Sequence, residues 1–316
     1  MANLRLLTFA ESTRRTYSSQ LALFLQFCTS LNISPVPISA TNLGRYVAFL
    51  ASKLSFSSVR QYLNVVRLIH LEAGHGNPMT DNWFLSTLMK GLRRKKGDAT
   101  SQKLPITRDI LQGILKLLNL DQSFDVTFWA VCLVGFFSFF RKSNLLVQSW
   151  GQFDPCKHLC CSDVRFCASG AILSVRWSKT IQFRQRILEI PLPHIPNSPF
   201  CPSSALLLCL RSLPPVQGPR PLFCYMSSSG LRPITHAEFV ACLKRHLNQL
   251  GVDASKYSGH SFRRGGASLA LQCGLPSELI KLQGDWASNA YENYINPSLE
   301  LRKKLADTLG KAFPCS

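Results

Sequence analysis

Residues 258–296, SGHSFRRGGASLALQCGLPSELIKLQGDWASNAYENYIN, hold the densest collection of side chains able to do chemistry. His260 and Arg263 are spaced i and i+3, which on a helix sets an imidazole and a guanidinium on one face. A neutral imidazole takes or relays a proton, and a guanidinium fork binds oxyanions through directed hydrogen bonds while keeping its charge. Tyr291 and Tyr294 repeat the i, i+3 spacing downstream. A phenol ionises near pH 10, so a tyrosine oxygen is a weak nucleophile at neutral pH and must lose its proton as it attacks. Three helices are predicted: one opening at HSFRRGGAS, a short one over PSELIKLQG capped by Ser277 and closed by Gly284, and a third over SNAYENYI. Such an order aims a tyrosine into a site built by earlier parts of the chain.

Two earlier cations suit that site. Arg141 follows the longest apolar run, residues 126–140 (VTFWAVCLVGFFSFF). The run is shorter than the roughly 18 to 20 residues needed to cross a bilayer, which predicts a buried core helix. An arginine at the rim of so apolar a helix is costly without an anionic partner. Strand signals at residues 164–167, 171–177 and 186–191 predict a three-stranded antiparallel sheet with Lys179 at a hairpin tip.

The rest of the chain must hold these groups in place. At 316 residues it has room for two domains, and Lys plus Arg outnumber Asp plus Glu 36 to 17, a formal charge of +19. That excess favours a polyanionic partner with salt-sensitive attraction, although ribosomal, histone-like and membrane-surface proteins share such a balance. Helical periods over residues 12–31, 40–54, 56–73 and 82–94 predict an N-terminal bundle over residues 1–95. Ser12 or Thr13 is the expected first cap; Tyr17, Leu21, Phe24, Leu25 and Cys28 form the expected apolar stripe. Arg60, Arg67 and His70 are expected on a polar face. A linker is expected over residues 96–104, and a larger domain over residues 105–316. The cluster Arg93, Arg94, Lys95, Lys96 suits a nuclear address or a DNA backbone, and equally satisfies the dipole at a helix end.

In the second domain Thr107 is expected to cap a helix, Lys244, Arg245 and His246 to lie on the polar side of another over residues 236–251, and residues 297–313 to form a last amphipathic helix. The 12 cysteines, with no secretory pattern in MANLRLLTFAESTRR, predict reduced thiols and an intracellular protein. Cys156, His158, Cys160, Cys161 and Cys167 are close in sequence, but adjacent Cys160 and Cys161 fit one tetrahedral zinc site poorly, so no metal site is expected.

The order Arg141, Lys179, His260-x-x-Arg263, Trp286, Tyr294 resembles the tyrosine recombinase (phage integrase) family. The motifs RKSNL, SKT, HSFRRGGAS and GDWASNAYENYI look most like recombinases of eukaryotic mobile elements of the DIRS or Crypton kind. The resemblance covers nearly the whole chain. It implies a mainly α fold with a small antiparallel β-sheet, in which an N-terminal helical core-binding domain and an α+β catalytic domain form a clamp on double-stranded DNA. It implies strand cleavage by Tyr294, with Arg141 and Arg263 on the phosphate oxygens, His260 accepting or relaying the tyrosine proton, Lys179 protonating the leaving 5′-oxygen, and the Trp286 indole N–H on a phosphate oxygen. It further implies a homo-tetramer in the synaptic complex, no membrane or small-molecule substrate, and neither metal nor ATP, because a phosphotyrosyl link conserves the energy of the broken bond.

Two departures stand out. The position three after the first arginine, commonly acidic in the family, is Asn144, and Tyr294 lies eight residues after Trp286, one fewer than usual. Tyr291 is the alternative nucleophile. A type IB topoisomerase-like relaxing enzyme, or a domesticated DNA-binding protein without catalysis, remains open at this point, as does nuclear localisation.

Overall fold

The computed structural model describes residues 8–98, 102–181, 185–215 and 217–286. Tyr291, Tyr294 and the helices expected over residues 288–295 and 297–313 lie outside them. The chain divides into two compact units, Met1–Ser101 and Gln102–Ser316.

The first unit comprises α1 (Glu11–Ser30), α2 (Ala40–Lys53), α3 (Phe56–Glu72) and α4 (Trp83–Lys96). Ser39, Ser55 and Asn82 each accept a backbone N–H of the helix they precede, satisfying a donor that the helix itself leaves orphaned. The expected cap at Ser12 or Thr13 is not used: α1 starts earlier, with Ala10 as N-cap and Glu11 favourably placed against the helix dipole and paired with Arg15. Its buried stripe is Gln20, Phe24, Phe27 and Cys28, and Leu25 faces outward. Phe24 and Tyr46, both fully buried, meet edge-on with ring centroids 5.0 Å apart. His70 is not on a polar face. It is buried and accepts the Ile38 N–H at Nε2 (3.0 Å), so Nδ1 carries the proton it offers to the Val66 carbonyl (2.8 Å).

The second unit is built around α6 (Ser123–Phe137), which follows α5 (Arg108–Leu117) and its Thr107 cap. Every residue from 126 to 136 is buried, as an all-round apolar helix requires. The helix ends earlier than the apolar run, because residues 138–140 leave it to form a turn leading to the short α7 (Lys142–Leu145). Strands β1 (Val164–Cys167), β2 (Gly170–Val175) and β3 (Leu188–Pro193) form the antiparallel sheet in the order β1-β2-β3. Lys179 is not at the tip of that ladder: it sits in a separate turn, closed by the Ser178–Ile181 bridge, within the link between β2 and β3. After α8 (Pro202–Arg211) comes a hairpin that the sequence reading did not include, β4 (Cys224–Ser227) with β5 (Gly230–Pro233).

Then come α9 (His236–Gln249), α10 (His260–Gln272) and α11 (Ser277–Gly284). His246 of α9 is buried against Phe128 with ring centroids 5.5 Å apart, not on the polar side. Ser277 is the first residue of α11 and Pro276 its N-cap, so the expected serine cap is not formed. The Cys/His cluster serves loop structure: the His158 Nδ1 accepts the Asp154 N–H at 2.9 Å, and Cys160 N–H is held by Asp163 at 2.8 Å. Among the described residues no group of three or more His, Cys, Asp and Glu is arranged to hold a metal ion, and no helix is long and apolar enough to cross a membrane.

Candidate active site

The site is assembled where α10 passes the end of α6. Consecutive glycines allow that approach. A Cβ at Gly265 would lie 2.1 Å from the Ile106 carbonyl oxygen, and one at Gly266 would lie 2.1 Å from that of Phe136. Any side chain at either position would force the two elements apart. The segment before α5 fastens the start of α10 from the other side, with Ile106 N–H donating to the Ser261 carbonyl at 2.9 Å.

This contact brings Arg263 to the turn that ends α6. Phe139 adopts φ +53°, a left-handed conformation costly for a bulky residue and sustained by its surroundings. Its carbonyl accepts from Arg263 Nη1, and its ring packs on Trp286 with centroids 6.3 Å apart. Arg263 is only 1% exposed, and its guanidinium carbon lies 3.7 Å from the centre of the Trp286 ring. The cation is thus held by a carbonyl dipole at one edge and an aromatic face at another, which fixes the direction of its fork. Trp286 reaches that position by folding back over Gly284, where a Cβ would meet the indole at 1.7 Å.

His260 begins α10, with its side chain at the protein surface and its backbone N–H held by Ser258 Oγ at 3.3 Å. The protein packed round the ring, then the positive charges of Arg141, Arg263 and Lys142, lower its pKa from the ordinary value. Arg141, Arg263 and Lys142 therefore each lie within electrostatic reach of His260. The imidazole is kept neutral at physiological pH, as a proton acceptor must be. Lys142 packs its stem toward Gly259, where a Cβ would lie 2.9 Å from it.

Lys179 comes from the link between β2 and β3. Its turn is pinned on both sides: Ile181 is fully buried, and Thr180 Oγ1 donates to Asp285, the residue between Gly284 and Trp286. Arg186 pairs with the other carboxylate oxygen of Asp285. Arg141, His260, Arg263 and Trp286 are thus gathered at the junction of the α6 end, α10 and α11, and the turn bearing Lys179 is tied to the same junction. Asn144 donates its backbone N–H to the Arg141 carbonyl at 2.8 Å, closing the short α7 turn. Sequence reasoning missed Phe139 and Asp285, as well as the spacing role of Gly265, Gly266 and Gly284. The SFRRGG run was the one local signal for the close approach.

No protein-family model matches the chain. It is 25% identical over 268 residues to an integrase/recombinase xerD homolog from Selenomonas ruminantium, covering 83% of this chain and 74% of that protein. A lambda integrase dimer bound to a COC′ core site matches 93% of the chain over 92% of its own length, with TM-score 0.63 and 14% identity. The Tn1549 transposon integrase in complex with transposon right end DNA matches 96% of the chain over 95% of its own length, with TM-score 0.62 and 11% identity. The chain therefore has the fold of these tyrosine recombinases and integrases, and its sequence is similar to that of the xerD homolog.

Proposed function

We propose that the chain is a site-specific DNA recombinase that cuts and rejoins duplex DNA through a 3′-phosphotyrosyl link. The observation that carries this reading is the gathering of Arg141, His260, Arg263 and Trp286 at one junction, with the Lys179 turn fastened beside them. In the proposed step the Tyr294 oxygen attacks the scissile phosphorus, its proton passing to His260. The P–O5′ bond breaks, and the departing oxygen takes a proton from Lys179. Arg141 and Arg263 balance the charge that grows on the non-bridging oxygens, the largest demand that phosphoryl transfer makes on a protein. The phosphotyrosyl bond stores the energy for rejoining to another 5′-hydroxyl, so neither ATP nor metal enters.

Both units contribute basic surface to the duplex in this reading. The exposed Arg93, Arg94, Lys95 and Lys96 at the end of α4 suit DNA backbone or a nuclear address. The RKSNL, SKT, HSFRRGGAS and GDWASNAYENYI motifs favour a eukaryotic mobile-element source of the DIRS or Crypton kind. Exchange then occurs in a four-protomer synapse. Leu279 and Leu282 of α11 are 51% and 68% exposed beside an apolar groove between α11 and β3, a surface suited to a neighbouring protomer.

The test is a nicked duplex that traps covalent protein. Loss of the adduct in Tyr294→Phe but not in Tyr291→Phe, with DNA binding intact in both, establishes chemistry and nucleophile. Relaxation of plasmid by monomer without recombinant product would replace this reading with a type IB topoisomerase-like one. Absence of any adduct from the unaltered protein would leave a DNA-binding protein without catalysis.

A further inference from the structure

The link between β2 and β3 is held in a way that the general chemistry of the site does not require. Within it, Ser178 and Thr180 are joined side chain to side chain at 2.8 Å, Thr180 N–H donates to Ser178 Oγ at 3.1 Å, and Ile181 N–H donates to the Ser178 carbonyl at 3.1 Å. Gln185 Nε2 donates to the Thr180 carbonyl at 2.9 Å. The turn carrying Lys179 is therefore internally rigid, and its placement depends on whatever anchors it as a whole. Among the described residues its anchors include the buried Ser178 and Ile181 and the carboxylate of Asp285.

Asp285 is suited to this task. It terminates α11 in the left-handed region, φ +50°, which Asp tolerates better than most residues, with its N–H donating to the Leu282 carbonyl at 3.2 Å. Trp286 N–H donates to the Lys281 carbonyl at 3.1 Å, so the aspartate and tryptophan are fixed by one helix end. One carboxylate oxygen receives the Thr180 hydroxyl and the other the Arg186 guanidinium, so the side chain bridges both ends of the 180–186 segment. An asparagine there would keep an acceptor for Thr180 but present either an N–H to a guanidinium or nothing.

We propose that Asp285 is a positioning residue that sets Lys179 against the leaving oxygen. The inference rests on the recombinase reading above, in which Lys179 protonates O5′ as the P–O5′ bond breaks and the bond from the tyrosine oxygen to phosphorus forms. A misplacement of about 1 Å at such a group is worth on the order of a hundredfold in rate.

The experiment compares nicked substrates with either oxygen or sulfur at the bridging 5′ position of the scissile phosphate. A thiol ionises near pH 8.5, so a 5′-thiolate departs without receiving a proton. Asp285→Ala and Asp285→Asn are expected to form the covalent adduct roughly 10- to 100-fold more slowly on the oxygen substrate, and within about threefold of the unaltered protein on the sulfur substrate. Lys179→Ala should show the same rescue from a deeper loss. Thr180→Val, which leaves the Arg186 pair and Ile181 in place, should show a smaller loss with the same rescue, and it serves if the Asp285 variants fail to fold. An equal defect on both substrates in Asp285 and Thr180 variants, with Lys179→Ala rescued, overturns the proposal and leaves the recombinase reading standing. Failure of sulfur to rescue Lys179→Ala overturns the role of that lysine and the proposal for Asp285 with it, while the recombinase reading is judged separately by whether the unaltered protein forms the adduct.

Discussion

Arg263 and Lys179 are the two cations of the proposed site that the protein secures by the most different means. Arg263 lies inside the second unit, 1% exposed, on a helix whose glycines press it against α6, with a carbonyl and an indole face as its fixed surroundings. Lys179 is exposed on a turn outside the sheet, and among the described residues the buried Ser178 and Ile181 and the carboxylate of Asp285 help to hold that turn. The arginine's position is thus a property of the core, whereas the lysine's turn is tied to the core through Ile181 and to α11 through polar contacts with Asp285. In the proposed mechanism, charge stabilisation falls to the rigid element and proton delivery to the departing oxygen falls to the turn at the surface.

The comparison breaks most decisively at Arg263. Arg263→Ala should cost both catalysis and stability: on the order of 10² to 10³ in adduct formation, and about 2–3 kcal/mol from the orphaned Phe139 carbonyl and the emptied space above Trp286. Thermal unfolding would then move down by roughly 5–10 °C. An unchanged melting temperature would mean that the arginine is not an integral part of the core.

Lys179→Ala is the counterpart. Its adduct formation should fall by about 10² or more, as expected on removing a general acid, with melting unchanged. A clear loss of thermal stability would erase the distinction between the two cations.

Gly266→Ala tests the contact that brings α10 to the α6 turn. Alanine favours helix by about 1 kcal/mol, but the clash with the Phe136 carbonyl is with backbone and cannot be relieved by rotation. A net destabilisation of about 1–3 kcal/mol is expected, accompanied by slower cleavage as Arg263 and Phe139 separate. Stability equal to or above that of the unaltered protein would show that the glycine is there for another reason.

The smallest effect concerns pH. Because the pKa of His260 is lowered, first by its packing and then by Arg141, Arg263 and Lys142, the imidazole should stay a competent proton acceptor down to a pH below its ordinary value near 6.5. Cleavage should fall as pH drops through that lowered value, and His260→Gln should flatten the acid limb while lowering the rate throughout. The sign for stability is the same. A folded-state value below the unfolded one means the unfolded chain binds more protons in that interval, so stability rises with pH across it. An acid limb centred above 6.5 would contradict the electrostatic reading.

Much of this was legible in the chain. The apolar run before Arg141 predicted α6, the His260-x-x-Arg263 spacing predicted a shared helix face, and β-branched and aromatic runs predicted β1 to β3, because each is a local signal of helix or strand geometry. What failed was of another kind. His70 and His246 were placed on polar faces, yet each is buried, His70 by an amide from a different segment and His246 by an aromatic ring of another helix. The β4–β5 hairpin escaped because the SSSG turn at residues 227–230 joins strands of only four residues each, too short to give a clear strand signal. Lys179 was read as a hairpin tip because the strands flanking it were legible, whereas the turn that holds it depends on a carboxylate far along the chain.

The amino-acid sequence by itself determined which residues are available for chemistry, which helices are amphipathic and which one is buried all round, since these follow from side-chain type and spacing within a few turns. Only the tertiary structure decided that Phe139 takes a left-handed turn to offer its carbonyl to Arg263, and that Asp285 grips the Lys179 turn. The Arg263–Phe139 and Asp285–Thr180 contacts join residues more than 100 positions apart, and no local period encodes them. They exist because packing α10 on α6 leaves one place for each of those groups.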